Sequence, residues 1–121
     1  MNIDKLEAGH ELDRLIAEKV MGWRKVFDED QGDGMWILWV QQDGQEIYDQ
    51  QLPKFSADIA AAWEVVEKLS QGESMVTVRT DRTALRWICI AETSTRTFSA
   101  NESTAPLAIC RAALKVVGAS K

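Results

Sequence analysis

The sequence predicts an α+β protein with a single antiparallel sheet of four to five strands and helices on both faces, in the order α-ββ-α-ββ(β)-α. Separate stretches carry apolar residues at helical spacing and at strand spacing, which indicates a mixed fold. Several strand stretches are apolar on both faces, which is typical of a sheet covered on both sides. The length of 121 residues fits one domain spanning residues 1–121.

The clearest helical stretch lies in the middle of the chain and ends near Leu69. Ser56 is a good N-cap residue, because its hydroxyl can accept a hydrogen bond from a backbone N–H of the first turn. One stripe of apolar residues follows at three- and four-residue spacing, and its members are Ile59, Ala62, Trp63, Val66 and Leu69. A tryptophan on such a stripe usually packs in the core, so we expect Trp63 to be buried.

Two further helices are predicted near the ends of the chain. The first covers residues 4–21 and ends at Gly22, with Gly9 as a weak point. The last begins at Thr104, a natural N-cap residue, and ends at Gly118. His10 lies on the first helix, beside no evident catalytic partner, and we expect it on the surface.

Strands are predicted over residues 35–42, 45–51, 74–80, 84–91 and 95–100. Asp43-Gly44 is a strong hairpin turn between the first two. The polar strand 45–51 and the short strand around Phe98 are expected at sheet edges, where another chain could pair with them. Residues 23–34 are predicted to form an acidic loop, and the tryptophans Trp23, Trp36 and Trp39 beside it suggest a ligand lid.

The charge is unevenly distributed along the chain. Residues 1–71 carry seven Lys/Arg and fifteen Asp/Glu, a net charge of −8, and residues 72–121 carry seven and four, a net charge of +3. The whole chain has a net charge of −5 and is a poor binder of duplex nucleic acid, because neutralisation of phosphates dominates that affinity. The basic second half can still hold a local site for an anion.

Catalytic and metal-binding signatures are missing from the sequence. It contains no GxSxG, HExxH, GxxxxGK or CxxC motif, and it has a single histidine. We therefore expect no enzymatic activity, no catalytic residues, no metal and no cofactor. Cys89 and Cys110 fit a reducing compartment as small buried residues, and the sequence leaves open whether they meet. No apolar run could span a bilayer, so the expected location is the cytoplasm, without membrane contact.

A candidate ligand site can be assembled from the second half of the chain. Arginine donates bidentate hydrogen bonds to phosphate, tryptophan offers a stacking face, and the start of a helix has free N–H groups. The candidate residues on these grounds are Arg79, Arg82, Arg86, Trp87, Ser103, Thr104 and Arg111. Each also has a structural explanation, as a solvated strand residue, a helix cap or a core residue.

Three blocks of the sequence resemble a known family. They are MNIDKLEAGHELDRLIAEKVMGW, FSADIAAAWEVVEKL and STAPLAICRAALKVVG, and together they are similar to the phage ABA (αβα) sandwich domain over about residues 1–118. The resemblance implies a phage or prophage protein located in the host cytoplasm, an αβα fold and no known enzymatic activity. Here a single proline, Pro53, precedes the central helix, where family members usually have two.

The resemblance and the residues together lead to alternative hypotheses. Small phage α/β proteins such as the Thoeris anti-defence proteins act as sponges for immune nucleotides, which suggests a small anionic nucleotide as ligand. The alternative is a protein-interaction module, either a homo-oligomer or an inhibitor of a host protein. A virion or replication accessory domain is a third reading.

Overall fold

The strands of this chain pair in two separate groups, as a computed structural model describing residues 7–28, 36–72, 74–81 and 86–119 shows. The strands are β1 (Arg24–Asp28), β2 (Trp36–Val40), β3 (Glu46–Tyr48), β4 (Met75–Asp81), β5 (Arg86–Glu92) and β6 (Thr97–Glu102). The helices are α1 (His10–Leu15), α2 (Ile59–Gln71) and α3 (Ala105–Ala119). A π-helical segment, Ile16–Val20, continues α1, and a 3-10 helix, Asp49–Gln51, follows β3.

The two groups are antiparallel sheets of three strands each. Their orders are β1-β2-β3 and β4-β5-β6, so each sheet follows the chain without a crossover. The prediction of an α+β fold is confirmed, but the prediction of one sheet with four to five strands is wrong. The cause is that β3 runs directly into a 3-10 helix and the approach to α2, so each half of the chain completes its own sheet.

A strand also lies where a loop was predicted. β1 pairs with β2 over its whole length, from Arg24 opposite Val40 to Asp28 opposite Trp36. The charged start of this strand hides the alternation in the sequence. Gly22, with a φ of 74°, makes the bend that separates β1 from the first helix.

The central helix begins later than predicted, and only Ala62, Val66 and Leu69 of the predicted apolar stripe are buried. Asp58 is its N-cap and accepts a hydrogen bond from the N–H of Ala60 at 3.1 Å. Its buried residues are Ala61, Ala62, Val65, Val66 and Leu69. Trp63 and Ile59 are 50% and 52% exposed, so the expectation that Trp63 is a core residue is wrong. The two buried alanines and the two buried valines let the helix approach its neighbours closely, and the larger side chains of Ile59 and Trp63 lie on the exposed side.

Helix α3 is the centre of the packing. It lies against β5, β6, α2 and the π-helical segment, and Ala108, Ile109, Ala112 and Ala113 are fully buried on it. Thr104 caps the helix as predicted, because its hydroxyl accepts a hydrogen bond from the N–H of Leu107 at 3.4 Å. The alanines at three of these positions allow the close contact with two strands.

The sheet β4-β5-β6 is covered on one face only by described elements. Cys89, Ala91 and Ala100 point inward and are buried against the helices. Ile88 and Ile90, at the alternate positions of β5, are only partly buried, and Met75 is 69% exposed. Within the described residues, helices therefore cover one face of this sheet, whereas cover on both faces was expected. We call the side formed by Met75, Thr77, Arg79, Ile88, Ile90 and Ser99 the outer face.

Candidate functional site

Three of the predicted site residues come together around one carboxylate. Arg111 Nη1 lies 2.7 Å from Glu102 Oε2, and Arg86 Nη2 lies 3.7 Å from the same oxygen. Trp87 lies directly opposite Glu102 in the β5–β6 register and is 37% exposed. We call Arg86, Trp87, Glu102 and Arg111 the Glu102 cluster.

The fold explains why these residues meet. Glu102 is the last residue of β6 and Arg86 the first of β5, so antiparallel pairing brings the two strand ends together. Arg111 lies on the second turn of α3, and helical side chains lean toward the N-terminus of their helix. Arg86 is held further by Asn101, because its Nε and Nη2 donate to the side-chain and main-chain oxygens of Asn101 at 2.9 Å each.

The Glu102 cluster has two guanidinium groups and one carboxylate. The Arg111 side chain is 9% exposed and the Glu102 side chain 13%, so this pair is largely withdrawn from water. Charges in such a place must be paired to be tolerated. A phosphate could enter only in competition with Glu102, while the exposed Trp87 beside it offers a stacking surface.

The remaining predicted site residues are not part of this cluster. Arg79 is opposite Ile88 in register and therefore lies on the outer face, on the other side of the sheet from Trp87. The Thr104 hydroxyl is engaged as the helix cap, and Ser103 beside it is exposed. Arg82 lies outside the described residues.

A second charged cluster, built around Asp49, has no counterpart in the sequence prediction. Asp49 Oδ2 lies 2.6 Å from His10 Nε2, and both Asp49 oxygens accept hydrogen bonds from Arg14 Nε, at 3.0 and 3.1 Å. The indole Nε1 of Trp39 donates to Asp49 Oδ1 at 2.8 Å. Trp39 is a core residue, 1% exposed. We call Asp49, His10, Arg14 and Trp39 the Asp49 cluster.

The electrostatics of the Asp49 cluster favour an ionised carboxylate. Burial by itself would raise the pKa of Asp49, but the hydrogen bonds from Arg14, Trp39 and His10 outweigh it and hold that pKa well below its usual range. The same hydrogen bond raises the pKa of Arg14. His10 and Arg14 are on α1, whereas Asp49 is on the 3-10 helix, so the cluster ties the first helix to the first sheet.

Asp13 and Ser56 make a neighbouring connection. Asp13 Oδ1 accepts hydrogen bonds from the N–H and the hydroxyl of Ser56 at 2.8 and 2.7 Å, and both residues are buried. The Ser56 hydroxyl also accepts a hydrogen bond from the N–H of Gly9 at 2.9 Å. Ser56 therefore anchors α1 instead of capping α2, which corrects its predicted role. No local signal in the sequence links positions 43 and 47 residues apart.

The proposed ligand lid rests on three tryptophans, and the structure describes the side chains of Trp23 and Trp39. Both of these have a structural role. Trp23 is 8% exposed and contacts the ring of Phe55 edge-on, with centroids 5.8 Å apart. Trp39 is held in the Asp49 cluster. An open groove of about 360 Å³ lies beside Trp23, between the β2–β3 hairpin and α2. Its charged lining residues are Asp43, Glu64, Glu67 and Lys68, which disfavour an anionic ligand.

The two cysteines are free thiols inside the core. Burial raises the pKa of Cys89 to about 11, and burial together with nearby Asp13 and Cys89 raises the pKa of Cys110 further. The described residues contain no group of three His, Cys, Asp or Glu side chains that could hold a metal ion. None of the described helices combines the length and apolar character that a membrane crossing requires.

Comparison with known proteins defines the class. The fold is an α+β arrangement of antiparallel sheets and helices, and the sequence matches the family model of the phage ABA sandwich domain over residues 14–114. The chain belongs to the phage ABA sandwich domain family, which confirms the resemblance of the three sequence blocks.

A solved structure is similar to this chain over nearly its whole length. It is the 2.0 Å crystal structure of a phage protein from Bacillus cereus ATCC 14579, with a TM-score of 0.68 and 24% sequence identity. The match covers 98% of this chain and 89% of that chain. At this identity the likeness shows the shared fold alone. No curated protein matches the chain.

Proposed function

We propose that this chain is a non-enzymatic phage accessory protein in the host cytoplasm that acts by binding another protein through its outer face. The observation that carries the proposal is the open side of β4-β5-β6, where Ile88 and Ile90 are partly exposed and Met75 is 69% exposed. This face, which no helix of the described part of the chain covers, has an apolar centre that a partner can bury.

The charges on this face favour a protein as the partner. Arg79 and Arg86 are balanced by Asp81 and Glu92, the other charged residues of β4 and β5. Together with the net charge of −5, this balance gives no attraction for a polyphosphate. An apolar centre with a mixed polar rim is the usual composition of a protein–protein interface.

Capture from a bacterial host lysate tests this function. We expect a stoichiometric protein partner that nuclease treatment does not release. Ile90→Lys should abolish the capture, because it places a charge at the centre of the outer face. Leu38→Lys is the matched control, since Leu38 is also partly buried on the central strand of its sheet, facing away from Trp39.

Both variants must first show the wild-type circular dichroism spectrum and a cooperative thermal transition. Loss of the partner from Ile90→Lys alone supports the outer face as the docking surface. Equal capture by wild type and Ile90→Lys, or no captured protein at all, contradicts the proposal.

A second candidate function is the sequestration of a small anionic signalling nucleotide. The observation in its favour is the Glu102 cluster, where Arg86 and Arg111 lie beside the exposed Trp87. Phosphate would compete with Glu102 for the two guanidinium groups, and the base would stack on the indole.

Calorimetry with cyclic dinucleotides and cyclic ADP-ribose isomers tests the second candidate. We expect tight binding of one nucleotide, with the ligand recovered unchanged. Arg86→Gln should weaken the binding about tenfold or more, because one charge-assisted contact to phosphate is lost. Arg79→Gln, which removes an arginine outside the Glu102 cluster and on the other side of the sheet from Trp87, is the matched control. Absence of heat across the panel with folded protein removes this candidate.

A further inference from the structure

The two edge strands of the sheet β4-β5-β6 have different surroundings in the molecule. At the β6 edge, α3 packs along the strand, and Lys115 Nζ donates to the main-chain oxygen of Ser99 at 2.9 Å. A lysine over an edge is a common way of preventing another strand from pairing there. Strand β4 is the opposite edge, and within the described part of the chain it pairs with β5 alone.

Strand β4 is well suited to pairing with a further strand. All seven of its residues, Met75–Asp81, pair in continuous register with β5, and the strand contains neither proline nor glycine. In an antiparallel ladder about half of the N–H and C=O groups of an edge strand point away from its only neighbour. A long, regular edge of this kind is a template for β-augmentation.

We propose that β4 pairs antiparallel with β4 of a second copy of this chain, with Val78 opposite Val78 of the second copy at the two-fold axis. The result is a continuous sheet of six strands. This inference is independent of the proposed function, because it uses the edge of the sheet and not its outer face. The pairing would join the two outer faces into one surface.

The sequence of β4 selects this register. Centring on Val78 pairs all seven residues and places each Arg79 opposite Thr77 of the other copy. Centring on Arg79 would oppose two like charges directly, which is destabilising across strands. Centring on Thr77 or Thr80 would leave part of the strand without a partner. The register about Val78 also sets Val76 opposite Thr80, on the side that faces the helices.

The opposition of Thr77 and Arg79 provides a charge test at an exposed position. Thr77→Lys creates two like-charge pairs per dimer, and we expect it to raise the dimer dissociation constant about tenfold or more. Thr77→Glu creates two opposite-charge pairs, and we expect it to lower the dissociation constant several-fold. Sedimentation velocity of the full chain measures both, with the wild-type dimer at twice 13.6 kDa.

Ser99 supplies the matched control. Thr77 and Ser99 both pair with Ile90, one on each side of β5, and both are exposed on the outer face. Ser99→Lys and Ser99→Glu should therefore leave the dissociation constant unchanged if β4 is the contact. Circular dichroism and thermal melts establish that all four variants are folded.

The outcomes are distinct. Opposite shifts for Thr77→Lys and Thr77→Glu, with both Ser99 variants unchanged, support the β4 pairing. A wild-type chain that stays monomeric at every accessible concentration overturns it. Equal effects of the two Thr77 variants, or disruption by the Ser99 variants, also overturn it. Partner capture that depends on Ile90 can succeed or fail in either case, so the two proposals are judged separately.

Discussion

The Glu102 and Asp49 clusters both join a carboxylate to arginine, but they differ in where the cation lies. In the Glu102 cluster the Arg111 side chain is 9% exposed, whereas in the Asp49 cluster the Arg14 side chain is 44% exposed. Water can solvate Arg14 if its partner is lost, but it reaches Arg111 poorly. The same kind of ion pair therefore has different energetic consequences in the two sheets.

The difference also bears on function. The Glu102 cluster contains three of the residues predicted to bind a ligand, and the Asp49 cluster contains none of them. Yet the guanidinium of Arg111 already has a carboxylate partner, so the convergence of arginines serves the fold first. Clusters of charge in a sequence are thus a weak guide to ligand sites until their partners are known.

Removing the carboxylate of the Glu102 cluster should have the largest effect. Glu102→Ala leaves a buried guanidinium without that carboxylate, and we expect the free energy of unfolding to fall by about 3–5 kcal/mol. Denaturant titration measures this loss. Glu102→Gln keeps an oxygen acceptor and should lose less. If Glu102→Ala loses less unfolding free energy than Asp49→Ala, burial of the arginine does not determine which ion pair matters more for stability.

Removing the carboxylate of the Asp49 cluster should lower the free energy of unfolding by a smaller amount. In Asp49→Ala the exposed Arg14 is solvated again, but the Trp39 indole N–H remains buried without its acceptor, which costs about 1–3 kcal/mol. Asp49→Asn, the matched control, keeps an acceptor for Trp39 and should lose less in the same denaturant titration. If the two variants are equally unstable, the loss of stability comes mainly from the missing charge and not from the missing indole hydrogen bond.

Acid should reduce the contribution of the Asp49 cluster to stability, by less than either substitution to alanine does. The pKa of Asp49 is lowered in the folded protein, so its contribution is complete above the unfolded pKa of about 3.9 and is lost as the pH falls toward the folded pKa. Between pH 5 and pH 3 this group should account for a loss on the order of 1 kcal/mol. Asp49→Asn should show a flatter dependence of stability on pH. Parallel curves for the variant and the wild type would refute this assignment.

Much of the fold could be predicted from local patterns. The bounds of β2, β4 and α3 follow from alternation, helical spacing and the Thr104 cap, all of which depend on neighbouring residues. Strand β1 was missed because its charged beginning hides the period, and pairing with β2 is what makes it a strand. The burial of α2 was misjudged at Trp63, since the side that is buried depends on which neighbour the alanines approach.

The sites were less predictable because their partners are distant in sequence. His10 and Asp49 are 39 residues apart, and Arg14 and Asp49 are 35 apart. No spacing rule links such positions, so the expectation that His10 lies at the surface is confirmed, but its contact with Asp49 was not predicted. Arg86 and Arg111 were singled out for their chemistry, but their common neighbour Glu102 became apparent only through the β5–β6 register.

The buried thiols of Cys89 and Cys110 have a practical consequence. Because their raised pKa values keep them protonated in ordinary buffers, alkylating dyes should react with them slowly while the protein is folded. A single cysteine introduced on the surface would then carry a fluorophore or spin label without removal of the native pair. Distances between two copies could be measured on an otherwise unaltered chain.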